Sequence, residues 1–116
     1  MQYFIYKIFD KNNVDEFYIG STTKMSTRKA QHKKNTCNKS SKKYWTKLYQ
    51  YIRSNGGFEN FEFVVLEEGE CDPDGTPTEN KKYILKLEQS YINVLEPTLN
   101  VNKANKDKVE LILIEF

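Results

Sequence analysis

The stretch Phe4–Ser21, FIYKIFDKNNVDEFYIGS, decides how the rest of the chain is read. A short apolar run carrying Ile5 and Tyr6 is interrupted by polar residues and returns in reverse order as Tyr18 and Ile19, stopped by Gly20. Residues 3–9 and 16–20 have the aromatic and β-branched content of strands, and DKNNV between them is turn chemistry. An antiparallel hairpin in the symmetric register sets Tyr6 opposite Tyr18 and Ile5 opposite Ile19. Because side chains alternate across a strand, the isoleucines then face a core while the tyrosines share the other face.

Downstream of GSTTKM, residues from Ser26 to Lys34 contain no Gly, Pro or strand-like alternation. Ser26 is a candidate cap for a helix beginning at Thr27, which places Arg28 and His32 one turn apart. A second helix is predicted over 43–54, where Trp45, Leu48, Tyr49 and Ile52 have the spacing of a buried stripe and Gly56 or Gly57 provides the stop. FEFVVLEE predicts a third strand from Phe61 to Glu67, placed centrally because it becomes continuously apolar. The DPDG that follows lacks the remaining ligands of a calcium loop and reads as a tight turn.

Thr76-Pro77-Thr78-Glu79 combines a Thr cap, Pro at the first helical position and a Glu that completes a capping box. The helix should run to about Leu95, ahead of Pro97, with Ile84, Leu85, Tyr91, Ile92 and Leu95 as its apolar stripe. Glu88 falls in the middle of that face, where a carboxylate either reaches solvent or has a task. TLNV, residues 98–101, reads as a short strand. The tail VELILIEF is apolar on both faces, so it is expected to add to the sheet edge or to pair with a second copy, giving a homo-oligomer.

A chain of 116 residues is most simply one domain with one modest core, and an aromatic content of 14% suits aromatic packing rather than a disordered polymer. No segment approaches the roughly 18 consecutive apolar residues of a membrane helix, and the N-terminus lacks the pattern of a secretory signal. The expectation is a soluble intracellular protein that is not secreted. Cys37 and Cys71 form neither a C-x-x-C nor a zinc-finger pair, and read as reduced thiols.

The formal net charge of +2 excludes nothing, but its distribution is uneven. No acidic residue occurs between Ser21 and Phe58, a span that holds Lys24, Arg28, Lys29, Lys33, Lys34, Lys39, Lys42, Lys43, Lys47 and Arg53. From Glu59 to Glu79 the sign reverses, with no basic residue at all. Such segregation suits a face made for a polyanion, and equally a lysine-rich solvated surface. Lys24, Lys29, Lys33, Lys42, Lys43 and Lys47 are the candidate nucleic-acid contacts.

Hydrolysis of a phosphodiester needs an aligned water, a proton acceptor, and positive charge facing the transition state, part of it usually supplied by a metal. Tyr6, Tyr18, Arg28, His32 and Glu88 offer such groups. Singly, each has an ordinary role: a packing tyrosine, a surface arginine, a capping histidine, a hydrogen-bonded glutamate.

FIY, then YIGST twelve residues after its Tyr, then Arg28 and His32, SKKYWTKLYQYIRSNGGFENFEFVVLEE and finally EQSYINVLEPTLN together resemble the GIY-YIG endonuclease superfamily. The likeness implies an α/β (α+β) domain over 1–104, a three-stranded antiparallel sheet flanked by helices, with 105–116 as a strand-like extension. It also implies a metal-dependent endonuclease that cuts DNA with a divalent cation, magnesium or manganese. By the same likeness Tyr6 is the general base, Tyr18 holds the water or the phosphate, and Arg28 stabilises the phosphoryl oxygens. His32 assists proton transfer or orientation, Glu88 binds the metal, Gly20 keeps the turn into the helix open and Asn100 buttresses the site. A free phenol, with a pKa near ~10, needs nearby positive charge to act as a base at neutral pH. Phe4 departs from the family pattern, standing where the first block has Gly. The rival readings are a binding module without cleavage and a structural domain that dimerises through its tail.

Overall fold

The computed structural model describes residues 1–100; Val101 and the VELILIEF tail, with the expectations placed on them, lie outside the described residues. The hairpin forms, in a register different from the symmetric one. β1 (Gln2–Asp10) and β2 (Asn13–Thr22) pair antiparallel with Tyr6 opposite Gly20 and Ile8 opposite Tyr18, a slide of two residues. A slide of two preserves the face of every side chain, so Tyr6 and Tyr18 still share one. The cause is steric. A Cβ on Gly20 would lie 2.5 Å from the Tyr6 hydroxyl oxygen and 2.8 Å from Tyr18 Cε1, so only glycine leaves room for the Tyr6 ring across the strand.

β3 (Phe61–Glu70) pairs antiparallel with β1, giving the order β2-β1-β3. The central strand is therefore β1, a correction to the expectation for β3. Tyr3, Ile5, Tyr6 and Ile8 of β1 are buried on both faces, whereas the apolar run of β3 leaves Val64 and Val65 exposed. A register shift opposite Ile5 and Tyr6 leaves Leu66 as the extra residue of a bulge.

Three helices cover the sheet. α1 (Met25–Cys37) begins earlier than expected, with Lys24 at the cap position and Ser26 inside the helix; Thr22 Oγ1 accepts from the Lys24 N–H at 3.0 Å. α2 (Lys47–Ser54) begins later, so Trp45 precedes it and is 59% exposed, while Leu48, Tyr49 and Ile52 are buried as predicted. Gly56 and Gly57 both take positive φ behind it. α3 (Pro77–Leu95) has the predicted capping box: Thr76 Oγ1 accepts from the Glu79 N–H at 3.1 Å and Glu79 Oε1 from the Thr76 N–H at 2.8 Å. Its inner face is Ile84, Leu87, Glu88, Tyr91 and Ile92; Leu85 and Leu95 are exposed, one position off that stripe.

Each sheet face has its own core. Tyr6, Ile8 and Phe61 pack with Leu48, Tyr49 and Ile52 of α2 and with Leu99, so the tyrosine face is itself a core rather than an outer surface. Tyr3, Ile5 and Ile19 pack with Ile84 of α3 on the other side. The Tyr3 and Tyr91 hydroxyls donate to the two oxygens of Glu67, each at 2.9 Å, tying β1 and α3 to the bulged strand. Residues 98–100 run along the free edge of β2 without strand geometry; Leu99 N–H donates to Phe17 O at 3.0 Å. Gly75 N–H donates to Asp72 O at 3.1 Å, closing the predicted DPDG turn. Cys37 and Cys71 are free, and among the described residues no helix is long and apolar enough to cross a membrane.

Asp10 joins the hairpin to the far end of the fold. Its buried carboxylate accepts from the Asn12 N–H, the Tyr51 hydroxyl and Asn60 Nδ2, each at 2.8 Å. Burial works against its charge, but these donors outweigh burial and hold its pKa below the ordinary value. Asp10→Ala strands the Tyr51 and Asn60 donors and should cost about 2–3 kcal/mol. Urea unfolding checks this, and an unchanged midpoint would refute the assignment.

Candidate active site

The sheet brings Tyr6 and Tyr18 together as diagonal neighbours, ring centroids 6.3 Å apart. α1 then lowers its first two turns onto them. His32 is fully buried, with its Nε2 2.6 Å from the Tyr6 hydroxyl oxygen and its Nδ1 2.7 Å from that of Tyr49 on α2. Arg28 Nε donates to the Tyr6 hydroxyl at 3.2 Å, and its Nη1 donates to Gln31 Oε1 at 3.2 Å. Asn35 Nδ2 donates to the Tyr49 hydroxyl at 3.4 Å and is itself oriented by Ser41 Oγ, which donates to Asn35 Oδ1 at 2.6 Å. One hydrogen-bonded chain results, Arg28–Tyr6–His32–Tyr49–Asn35, buried at its three central members and half-buried at its ends.

Burial sets its electrostatics. Desolvation pushes the Tyr6 hydroxyl well above the ordinary phenol value; the Tyr18 phenol adds to the rise, and Arg28 opposes it without prevailing. Tyr18 and Tyr49 are raised by burial in the same way, each against the pull of Arg28. His32 is pushed down to about 3, first by burial and then by the charges of Arg28 and Lys43, so it is neutral at physiological pH. Arg28 stays protonated: burial disfavours its charge, but the surrounding phenols more than compensate. A neutral imidazole has one N–H, so the chain runs in one of two directions. Either Tyr6 donates to Nε2 and Nδ1–H donates to Tyr49, or Tyr49 donates to Nδ1 and Nε2–H donates to Tyr6.

Glu88 reaches the group by a different route. It lies on the α3 side, where Ser21 Oγ donates to its Oε1 at 2.7 Å, and its negative charge raises the Tyr18 pKa. It makes no hydrogen bond to Tyr6, Arg28 or His32 among the described residues. Gly20 serves as the gap beneath the Tyr6 ring rather than as a turn residue, because β2 continues to Thr22. Asn100 replaces a strand partner for Ile19: its Oδ1 accepts from Ile19 N–H at 2.8 Å and its Nδ2 donates to Ile19 O at 2.7 Å, clamping β2 between Tyr18 and Gly20. Phe4 is half-buried and pairs with Thr22 and Glu68; two residues before Tyr6 on β1, it lies on the same sheet face as that tyrosine.

An open cavity of about 570 Å³ adjoins the chain, lined by Tyr18, Arg28, Lys42, Lys43, Trp45 and Tyr49 among others. Of the six candidate lysines, all exposed, only Lys42 and Lys43 line it; Lys29 lies over the Phe63 ring at 5.2 Å. Among the described residues the one ion pair joins the N-terminus to Glu70, which leaves these cations without carboxylate partners. Sequence reasoning placed Tyr49 in the core and missed its hydroxyl; it also missed Asn35 and Ser21. The helical spacing of Tyr49 gave no sign that its polar end meets His32, since that contact depends on how α2 crosses α1.

A divalent cation is tested by the donors present. Among the described residues no group of at least three His, Cys, Asp or Glu side chains is gathered. Glu88 is a half-buried hard oxygen donor with no ion-pair partner among the described residues. That fits magnesium or manganese, which bind through one or two carboxylates and otherwise keep waters and substrate phosphate oxygens.

Tyr6 and Tyr18 thus share one face of a three-stranded antiparallel sheet, under a helix that delivers Arg28 and His32. The family described as the GIY-YIG catalytic domain matches residues 2–105, so the chain belongs to that family and is an endonuclease domain by class. Its structure is similar to that of the catalytic domain of the intron endonuclease I-TevI, solved as a point mutant. The identity is 24%, the match covers 90% of this chain and 94% of that one, and the TM-score is 0.61, which establishes the shared fold. No curated protein matches it in sequence.

His32 also marks stability. Its folded pKa is about 3 against an ordinary 6.5, so the unfolded chain binds a proton that the folded chain refuses. Stability is therefore full above pH ~6.5 and falls as the pH drops toward the folded value, with a slope approaching about 1.4 kcal/mol per pH unit. Urea midpoints between pH ~6 and ~4.5, above most carboxylate titration, read this directly. His32→Gln should flatten the slope, and an equal slope in that variant would contradict the neutral buried imidazole.

Proposed function

We propose that this domain hydrolyses phosphodiester bonds in DNA, assisted by a divalent cation held at Glu88. The observation that carries the reading is the hydrogen-bonded Arg28–Tyr6–His32–Tyr49 chain beside a cavity whose lysines have no carboxylate partners among the described residues. When bound, the cation supplies positive charge to the phosphoryl oxygens and the leaving group.

The protein's own groups do the rest. Arg28 uses Nε and Nη1 internally and keeps further N–H donors of its planar fork for the scissile phosphate. Tyr6 is fully buried beneath Arg28, so attacking water meets its hydroxyl only as the guanidinium turns toward the phosphate. The water's proton then passes to the Tyr6 oxygen while the Tyr6 proton moves to His32 Nε2. The Nδ1 proton of His32 moves to Tyr49, whose own proton leaves to the cavity. One pass converts the first hydrogen-bond direction of the chain into the second. No free phenolate accumulates, which suits a phenol whose pKa burial has raised. Tyr18, on the cavity wall, orients water or phosphate, and Asn100 holds its strand in place. Lys24, Lys29, Lys33, Lys42, Lys43 and Lys47 supply the backbone contacts that make binding weaken with salt.

Supercoiled plasmid incubated with the domain and magnesium or manganese should be nicked or linearised, and EDTA should stop the reaction. Glu88→Ala should lower cutting by about a hundredfold or more while DNA binding persists. Arg28→Lys, which keeps the charge but loses the fork, should also cut poorly. Tight, salt-sensitive binding with no cleavage under either metal would replace the nuclease with a binding module. A fully active Glu88→Ala would remove Glu88 from metal binding.

A further inference from the structure

Trp45 was expected in a buried stripe, yet it is the most exposed aromatic residue of the catalytic side of the fold, at 59%. It is also firmly held. The Arg53 guanidinium lies 3.5 Å from the centre of the Tyr44 ring and donates to Thr36 O at 2.9 Å and to Tyr44 O at 2.7 Å. Tyr44 meets the Trp45 ring edge-on at 4.8 Å, and Gln50 Nε2 donates to the Trp45 carbonyl. Arg53 thus spends its charge fastening the segment between α1 and α2 and lies over the Trp45 ring at 5.7 Å, which holds a largely exposed indole at the wall of the cavity that also has Arg28 and Tyr18 in its lining. Lys42 and Lys43 line the same wall.

Arg53 lies over the indole at 5.7 Å and Tyr44 meets it edge-on, yet the ring stays 59% exposed, so most of its apolar surface gains nothing from burial within the fold. Trp45 shares the cavity lining with Lys42, Lys43 and Arg28, and that chemistry matches one kind of occupant. A nucleobase offers a flat π face to the indole, and the phosphates on either side of it meet the cations. The base of a continuous duplex has both faces covered by its neighbours, so an indole can stack only on a base that is unpaired or displaced. The cavity volume of about 570 Å³ lies within the ~300–1,000 Å³ range of small-ligand clefts, enough to admit a nucleotide.

We propose that Trp45, flanked by Lys42 and Lys43, is a stacking platform for an unpaired nucleobase beside the scissile phosphate, so that the domain cuts DNA with unpaired nucleotides at the cut site in preference to continuous duplex. The inference rests on the nuclease reading above for its cleavage half, and on the Trp45 geometry alone for its binding half.

Trp45 is the chain's single tryptophan, so its emission reports on this position without labelling. In EDTA, a short oligothymidylate and a two-strand duplex with one bulged thymidine should quench that emission, whereas the same duplex without the bulge should not. With magnesium, the bulged duplex should be cut faster than the continuous one. Trp45→Ala should slow that cut about tenfold, the worth of one base stack, and Trp45→Phe should restore most of it. The exposed position means that Trp45→Ala should keep its urea midpoint, which separates loss of stacking from loss of fold. Cleavage that ignores the bulge, unmoved emission and a fully active Trp45→Ala would overturn the inference while the nuclease reading stands. Quenching by the unpaired oligonucleotide with no cleavage of any substrate would leave the platform and overturn the nuclease reading instead.

Discussion

The 2.6 Å hydrogen bond between the Tyr6 hydroxyl and His32 Nε2 holds the molecule's architecture and its chemistry at one point. α1 has no apolar stripe with which to dock; its two buried residues are His32 and Thr36. A helix without such a stripe is fixed by specific polar contacts rather than by area buried. Those contacts are the Tyr6 and Tyr49 bonds to the imidazole and the Arg53 bond to the Thr36 carbonyl. Arg28, one turn before His32, is placed over the sheet only because His32 is anchored. The fold therefore cannot lose the site without loosening the helix that carries it, and every polar side chain atom buried among the described residues has a partner.

Charge follows the same division. The cations gather on α1, α2 and the segment between them, while the acidic run lies on β3 and the turn into α3. Glu67 is committed to Tyr3 and Tyr91, so its charge is absorbed within the α3 face. Glu88 is the exception: it sits on the inner face of α3 but is turned to the β2 edge by Ser21. A carboxylate near a site for polyanions works against binding unless a cation intervenes, which is the physical ground of the proposal that Glu88 holds one.

Much of this was legible in the sequence because local chemistry was decisive. The hairpin, the α3 capping box, the glycines after α2 and the Leu48, Tyr49 and Ile52 stripe all depend on neighbours within a few residues. The misreadings share a cause. The hairpin register was fixed by the Tyr6 ring needing the gap at Gly20, a contact across strands. The continuous apolar run of β3 suggested a central strand, but the strand covered on both sides is β1, which only the packing of α2 and α3 on opposite faces decides. Trp45 matched a helical spacing on a segment where no helix had yet begun. Within the site, Tyr6, Tyr18, Arg28 and His32 were recoverable from motif spacing, whereas Tyr49 and Asn35 were not, because they join through a crossing of two helices.

The resting site is poorly reactive, and the causes of that also say how it would be switched on. All three phenols around His32 are raised by burial, and His32 is lowered both by burial and by Arg28 and Lys43, so no strong base exists there at neutral pH. On the proposed reading a phosphodiester entering the cavity would change one of those causes. Its negative charge would offset Arg28 and Lys43, and the imidazole would regain basicity as their field is neutralised. The same attraction would draw the guanidinium off the Tyr6 hydroxyl and open that oxygen to water. Burial alone would have made a permanently inert site, and the cations alone a permanently exposed one. On the proposed reading, together they couple proton acceptance to the arrival of a phosphate, which confines the chemistry to phosphates already seated.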